Sequence, residues 1–319
     1  MLNSANLITL PYTPDLTRAG IAYACQSLAF TYNRMGGSRH HRLRRIVAGK
    51  AVELGFRHYL EAQAVPHDHL GSTPFTDPDQ YDVALHGLYC DVKSFMFFEK
   101  DRIRQLRRDP DHLLQASALV PADQMASSHL SETDVYVFAF LTALITSNQA
   151  ELERALAAGQ PVFMIHALPP SWSNPLDWKT FAPLSLSWSD AETVQVEIGG
   201  QGSDRAFLTE QVTLDPQRRM QARKDFHSLA YLHPNRQTRG QLRLVSTTQR
   251  KSHLVSPSDW SNIWVYGMEI ILAGYMPRGE FRHRAHLLPA GSQVLQYPRT
   301  RTANYALPVA DLYPLKDLL

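Results

Sequence analysis

Residues 80–94, QYDVALHGLYCDVKS, read as one β-hairpin with His86-Gly87 as its two-residue turn. A type I′ turn needs φ > 0 at both central positions, which glycine meets freely and histidine tolerates better than most residues. That turn sets Leu85 opposite Leu88, Ala84 opposite Tyr89 and Asp82 opposite Asp91. Side chains alternate along a strand. Val83, Leu85, Leu88, Cys90 and Val92 therefore form an apolar face, while Asp82, Ala84, Tyr89, Asp91 and Lys93 share the other. Two carboxylates facing each other across a strand pair repel. Lys93 on the same face neutralises one of them, whereas a divalent cation would neutralise both.

Working outward, the segment before the hairpin predicts a helix over about Arg42 to Gln63, with Ile46, Gly49, Glu53, Phe56 and Leu60 at three- and four-residue spacing. Glu53 lies in the middle of that apolar stripe. A buried carboxylate without a partner costs several kcal/mol, so a partner is expected. Gly49, one turn earlier, would allow a close approach of the helix to the sheet. A Glu53–Lys93 ion pair without catalysis is the plainer alternative.

An Asp, a short hairpin and then Asp91-Val92-Lys93, preceded by a helix bearing Glu53, resembles the PD-(D/E)xK nuclease superfamily with its restriction-endonuclease-like fold. The resemblance covers about the first half of the chain. It implies a metal-dependent nuclease in which Asp82 and Asp91 hold Mg²⁺, with Mn²⁺ as a substitute. Glu53 would bind a metal or its water, and Lys93 would orient or help deprotonate the attacking water. The literal Pro-Asp is missing, since Tyr81 precedes Asp82; Pro78-Asp79 just upstream is the competing assignment. Asp82 is preferred because it shares a face with Asp91 and Lys93.

The implied substrate is a phosphodiester in nucleic acid, DNA first and cleaved by an endonuclease first, in restriction, defence or DNA processing. A catalytically silent nucleic-acid-binding or assembly subunit and an RNA-directed nuclease are the alternatives. A homodimer or a larger protein complex stays open.

From Arg34 to Val52 there are basic residues at 34, 39, 42, 44, 45 and 50 and no acidic one. Arg39, Arg42, Arg44, Arg45 and Lys50 would suit a surface that tracks phosphates, as would Arg104, Arg107 and Arg108 further on. A solvated helix face is the simpler reading of both clusters. His67-x-His69 and His283/His286 lack a third ligand at zinc spacing and read as ordinary histidines.

The totals bound the rest. The 319 residues are 44% hydrophobic and 19% charged with a formal net charge of +2, an ordinary globular composition with room for two domains. Only local clustering can make a nucleic-acid surface at so small a net charge. Two cysteines offer no disulfide framework, and no apolar run is long enough to span a bilayer. A cytoplasmic protein with no membrane segment is expected.

In chain order, Asp15 to Asn33 predicts a helix, and Phe97 to Val120 two helical pieces joined at Asp109-Pro110. Thr133 to Ala143 predicts a buried strand, Asn148 to Ala158 a helix, and Gln160 to Ala167 a strand. Helix, three strands, helix, strand matches an αβββαβ core, so the fold class is α/β. Leu168 to Pro175 is a composition break. The expected domains are 1–168, nuclease-like, and 169–319, a β-rich accessory domain of unknown role with strands at 184–188, 193–198, 206–212, 241–245 and 263–273. Residues Gly199-Gly200-Gln201-Gly202 read as a turn, and Pro277 to Leu288 as a short helix.

Overall fold

In the computed structural model, which describes residues 2–27, 39–68, 81–127, 130–144, 149–158, 163–173, 175–262 and 266–319, the expected turn is formed. His86 and Gly87 both have positive φ, 50° and 81°, and close Leu85 on Leu88 and Ala84 on Tyr89. The protein is mixed α/β and splits into two compact units, each discontinuous in sequence. The first is Met1–Gly20, Ala48–Leu144 and Gly267–Leu319; the second is Ile21–Val47 and Ile145–Tyr266. This differs from a cut between 168 and 169. The proline-rich break holds a short helix at Pro170–Ser173 within the second unit, and the chain after residue 266 returns to the first unit, which local composition does not encode.

Six strands build the main sheet of the first unit: β1 (Ile8–Pro11), β2 (His67–Asp68), β3 (Val83–Leu85), β4 (Leu88–Phe97), β5 (Val135–Leu144) and β6 (Tyr266–Pro277). They are ordered β1-β6-β5-β4-β3-β2. β4 pairs parallel with β5 from Cys90↔Val135 to Phe97↔Thr142, and such a pair requires a crossover between its strands. β5 carries an unbroken apolar run, and Val135 to Leu141 are all buried, as a strand covered on both faces must be. The predicted 263–273 strand is present from Tyr266 on, as β6 of this sheet and not in an accessory domain; residues 263–265 lie outside the described residues. A second, three-stranded sheet in this unit joins His286–Leu288, Asn304–Pro308 and Ser117–Pro121.

Helices follow the sequence closely where they were expected. α1 is Pro14–Ser27 and α2 is Arg39–Ala62; residues 28–33 of the first expected helix lie outside the described residues. Between β4 and β5 come α3 (Lys100–Arg108), a 3₁₀ turn at Pro110–Gln115, the strand Ser117–Pro121 and α4 (Ala122–Ser127). Asp109 caps that turn by accepting from the Asp111 amide at 3.2 Å, with Pro110 next to it. The second expected helical piece thus ends early and becomes a strand, consistent with the β-branching and burial of Val120. Arg278–Arg284 is the short C-terminal helix, and His286 begins a strand. Among the described residues no helix is long and apolar enough to cross a membrane.

Which glycine of α2 lets the helix approach its neighbours is decided by distance. A β-carbon at Gly49 would lie 3.7 Å from Ser94 Oγ, an ordinary contact, whereas one at Gly55 would lie 2.6 Å from Ile270 Cδ1. Gly49→Ala is therefore expected to stabilise the protein by up to about 1 kcal/mol through helix propensity. Gly55→Ala is expected to destabilise it by about 1–2 kcal/mol, because Ile270 is fully buried and has to repack. Urea unfolding of the two variants checks this; equal midpoints would mean that Ile270 simply swings aside.

The second unit is β-rich. Phe207–Leu214, Val194–Gln201, Ser228–Pro234, Met164–Ala167 and Ser261–Asn262 form one sheet in that order; Arg219–Gln221, Leu184–Trp188, Leu242–Ser246 and Lys251–Val255 form the other. Their facing side chains, among them Val196, Ile198, Leu229, Leu186, Trp188 and Leu244, share one apolar core. Met164–Ala167 was expected as the last strand of an αβββαβ core. It instead pairs with Ser228–Pro234 and Ser261–Asn262. The helix Gln149–Ala157 likewise belongs to this unit. Gly199 and Gly200 sit inside a strand rather than a turn, and a β-carbon on Gly199 would lie 2.0 Å from Cε1 of the Tyr231 ring, a clash.

Candidate functional site

The hairpin presents its faces as the alternation requires. Val83, Leu85 and Cys90 are fully buried and Val92 nearly so, while Asp82, Asp91 and Lys93 are half-buried and Tyr89 is exposed. Burial first, and then the carboxylates of Asp82, Asp134 and Asp91, push the Cys90 thiol up to about 12. It is a core thiol held protonated, with no nucleophilic role.

At Asp82 the structure departs from the regular pairing. The ladder register ends at Val83 opposite Cys90. The Asp82 amide donates to the Cys90 carbonyl at 2.9 Å, and its carboxylate accepts the Val92 amide at 2.7 Å. The aspartate thus wraps over the end of the ladder and caps the strand that carries Asp91 and Lys93. Burial, then the charge of Glu53, then that of Asp91 hold its carboxyl well above the usual carboxylate range, against the opposing effects of the Val92 amide and Lys93. Three acidic groups are therefore close enough to act on one another, one from α2 and two from the hairpin.

Two lysines offset part of that charge. Lys93 Nζ lies 2.6 Å from Asp91 Oδ2 and donates to Gln124 Oε1 at 3.0 Å, above the Tyr136 ring at 5.7 Å from its centroid. Lys50 Nζ lies 2.6 Å from Glu53 Oε2. The anticipated Glu53–Lys93 pair is replaced by these two. Lys50 was legible, since a lysine three residues before a glutamate on a helix is a standard pairing distance. Gln124 was not. It comes from α4, thirty-one residues beyond Lys93, and no spacing rule connects them.

Glu53, Asp82 and Asp91 are an all-oxygen donor set of the kind that hard divalent cations prefer; burial raises Asp82 first, and the further part due to Glu53 and Asp91 is what a cation would relieve. Among the described residues no three His, Cys, Asp or Glu side chains are arranged as ready metal ligands, and Lys50 and Lys93 each hold one of these carboxylates. A cation bound by these carboxylates would have to displace the Lys50 and Lys93 ammonium groups.

Asp82 yields a pH-dependent expectation. A carboxyl raised in the folded state contributes stability that is full below its unfolded pKa, about 3.9, and is lost as pH rises through the folded value. Asp82→Asn keeps an acceptor for the Val92 amide and removes the titration. In EDTA the variant should melt above the wild type at pH 7–8, by roughly 2–6 °C, and level with it near pH 4. Added Mg²⁺ should stabilise the wild type and leave the variant unmoved. A variant that melts lower at both pH values would show that the carboxylate is a net stabiliser.

The basic residues divide differently from expectation. Lys50 joins the acidic cluster through Glu53. Arg104 is exposed and pairs with Asp101 at 3.3 Å; Arg107 pairs with Glu269 at 3.2 Å, beside a cavity of about 260 Å³ lined also by Leu7, Thr142 and Ile271; Arg108 is exposed. Arg44 and Arg45 are half-buried rather than solvated, and burial lowers the Arg44 guanidinium from its usual range. The part of α2 that carries them belongs to the second unit. The side chains of Arg39 and Arg42, and all of His69 and Pro78-Asp79, lie outside the described residues. His67 Nδ1 lies 3.0 Å from the Val65 carbonyl, and His283 and His286 are exposed.

No protein-family model, curated protein sequence or solved structure matches the chain.

Proposed function

We propose that the protein is a metal-dependent nuclease that hydrolyses phosphodiester bonds, with DNA as the first substrate, in restriction, defence or DNA processing. The observation that carries this reading is that the Asp82 carboxylate caps the strand bearing the Asp91–Lys93 pair, where burial first and then the charges of Glu53 and Asp91 raise it. Structural ion pairs do not need a third carboxylate whose charge is opposed by two others. Mg²⁺ or Mn²⁺ held by Glu53, Asp82 and Asp91 would polarise the scissile phosphate and lower the pKa of a bound water. Lys93, which pairs with Asp91 and donates to Gln124, would supply a positive charge for the phosphate or the attacking water, with Gln124 directing its ammonium. The Val92 amide keeps the Asp82 carboxylate aimed along the strand.

One observation favours the second reading, a catalytically silent nucleic-acid-binding or assembly subunit: Lys50 and Lys93 each pair with one of the three carboxylates, as in a structural ion-pair network. An RNA-directed nuclease would use the same groups. Incubating the purified full chain with linear and circular, single- and double-stranded DNA, and with RNA, in Mg²⁺, Mn²⁺ or EDTA separates the three. Metal-dependent cleavage of DNA, circles included, is expected. No cleavage of any substrate together with no divalent-cation binding would leave the silent subunit standing.

A further inference from the structure

Beside the carboxylates the hairpin carries a feature that metal chemistry does not use. The Tyr81 and Tyr89 rings are stacked nearly parallel, with centroids 4.2 Å apart and planes 13° apart. Tyr89 is 44% exposed, one of few large apolar side chains so placed among the described residues. Its cross-strand neighbour is Ala84, too small to cover a ring. Its backbone is pinned, because the Tyr89 amide donates at 2.8 Å to the buried carboxylate of Asp134, which also accepts from the Ser131 amide at 2.6 Å. Tyr89 precedes Asp91 by two residues on the same strand face, a distance of about 7 Å along the strand. On the nuclease reading, a nucleotide adjoining a phosphate held at Asp91 would lie alongside Tyr89.

The exposed Tyr89 ring, on a backbone held by Asp134 and stacked on the half-buried Tyr81, offers a surface that a third flat ring extends. Any nucleobase fits such a ledge, since every base has a π face, and stacking on aromatic side chains is largely indifferent to sequence. A base inside an intact duplex has both faces covered by its neighbours and has to leave the stack to reach such a surface. Resting on the nuclease reading, we propose that Tyr81 and Tyr89 form the base-stacking ledge of this site, and that its substrate is DNA with an unpaired nucleotide next to the cleaved phosphate. A single strand, a frayed end, a bulge or a mismatch meets that description.

The test uses the full-length protein and a DNA oligonucleotide carrying one 2-aminopurine, as a single strand and as a duplex with its complement, followed by both fluorescence and cleavage. The wild type should bind and cut the single strand in preference to the duplex and quench the fluorescent base on binding. Tyr89→Ala and Tyr89→Leu should weaken binding of the single strand by roughly 5- to 150-fold and lose the quench. Tyr89→Phe should retain both. Thermal melts confirm folding of each variant, which the exposure of Tyr89 favours. A wild type that cuts duplex and single strand equally, with Tyr89→Ala unchanged, overturns the ledge and leaves the nuclease reading intact. Quenching that depends on Tyr89 without cleavage of any substrate overturns the nuclease reading and keeps the ledge as a binding site. A wild type that neither binds nor cuts either form overturns both.

Discussion

Asp91→Ala is expected to abolish divalent-cation binding and cleavage together, with a loss of roughly a thousandfold or more in rate if the cation contributes the several kcal/mol usual for such sites. Asp91 is central to the cluster because it both pairs with Lys93 at 2.6 Å and opposes ionisation of Asp82. Its removal has two opposite effects on the metal-free fold. The repulsion on Asp82 falls, which stabilises; the Lys93 ammonium, whose side chain is only 13% exposed, loses its ionic partner and keeps only Gln124 and the Tyr136 ring. Leaving one charge of a partly buried pair alone is the larger effect, so the alanine variant should melt below the wild type. Asp91→Asn, which retains an acceptor for Lys93, should recover part of that loss without recovering activity. Calorimetric Mg²⁺ titration, a nuclease assay and thermal melts on both variants check the set. Unaltered metal affinity in Asp91→Ala would remove Asp91 from the site.

Much of this site could be read before any coordinates, because its parts are local. A His-Gly turn flanked by alternating residues fixes the register of Ala84 on Tyr89, and that register fixes which side chains share a face. The apolar run in β5 specifies a strand buried on both sides. Glu53 was legible as an anomaly, a carboxylate inside an apolar stripe, and its charge does reach Asp82. What failed was non-local. The strand Met164–Ala167 is a short apolar run that fits any sheet, and its partners lie in Ser228–Pro234 and Ser261–Asn262. β6 joins the first unit's sheet from far along the chain, since hydrogen bonding between strands carries no address in local sequence. Gly49 drew attention because it is one turn from Glu53, yet the close packing is at Gly55, where the neighbour is Ile270 of β6. The departure at Asp82 is subtler: pairing rules place it opposite Asp91, but a short carboxylate at a strand end can instead accept a main-chain amide, and that bond relieves part of the repulsion that pairing would impose.

Lys93→Ala separates catalysis from metal binding, because the lysine is the one member of the proposed catalytic group that cannot be a ligand while it is charged. Its ammonium pairs with the Asp91 carboxylate, so a cation bound there would have to displace it. Removing that competitor should leave Mg²⁺ affinity equal or higher. Cleavage should fall by roughly 100- to 10,000-fold, the range for loss of a group that stabilises charge or moves a proton in the transition state. The fall should appear in kcat more than in KM, since on the proposed reading the lysine would act on the reacting phosphate and water rather than in holding the strand. Stability should change little or drop slightly: the Asp91 pair is lost, but Asp91 itself is a quarter exposed and can turn to water. Gln124→Leu provides the companion measurement. It removes only the hydrogen bond that directs the ammonium, so it should lower kcat by a smaller factor and leave metal affinity alone. If Lys93→Ala weakens Mg²⁺ binding as much as it weakens cleavage, the lysine serves to build the site rather than to act in it. If the wild type binds no divalent cation and cuts nothing, with Lys93→Ala merely less stable, the Lys93–Asp91 pair is a structural ion pair and the catalytic reading ends there.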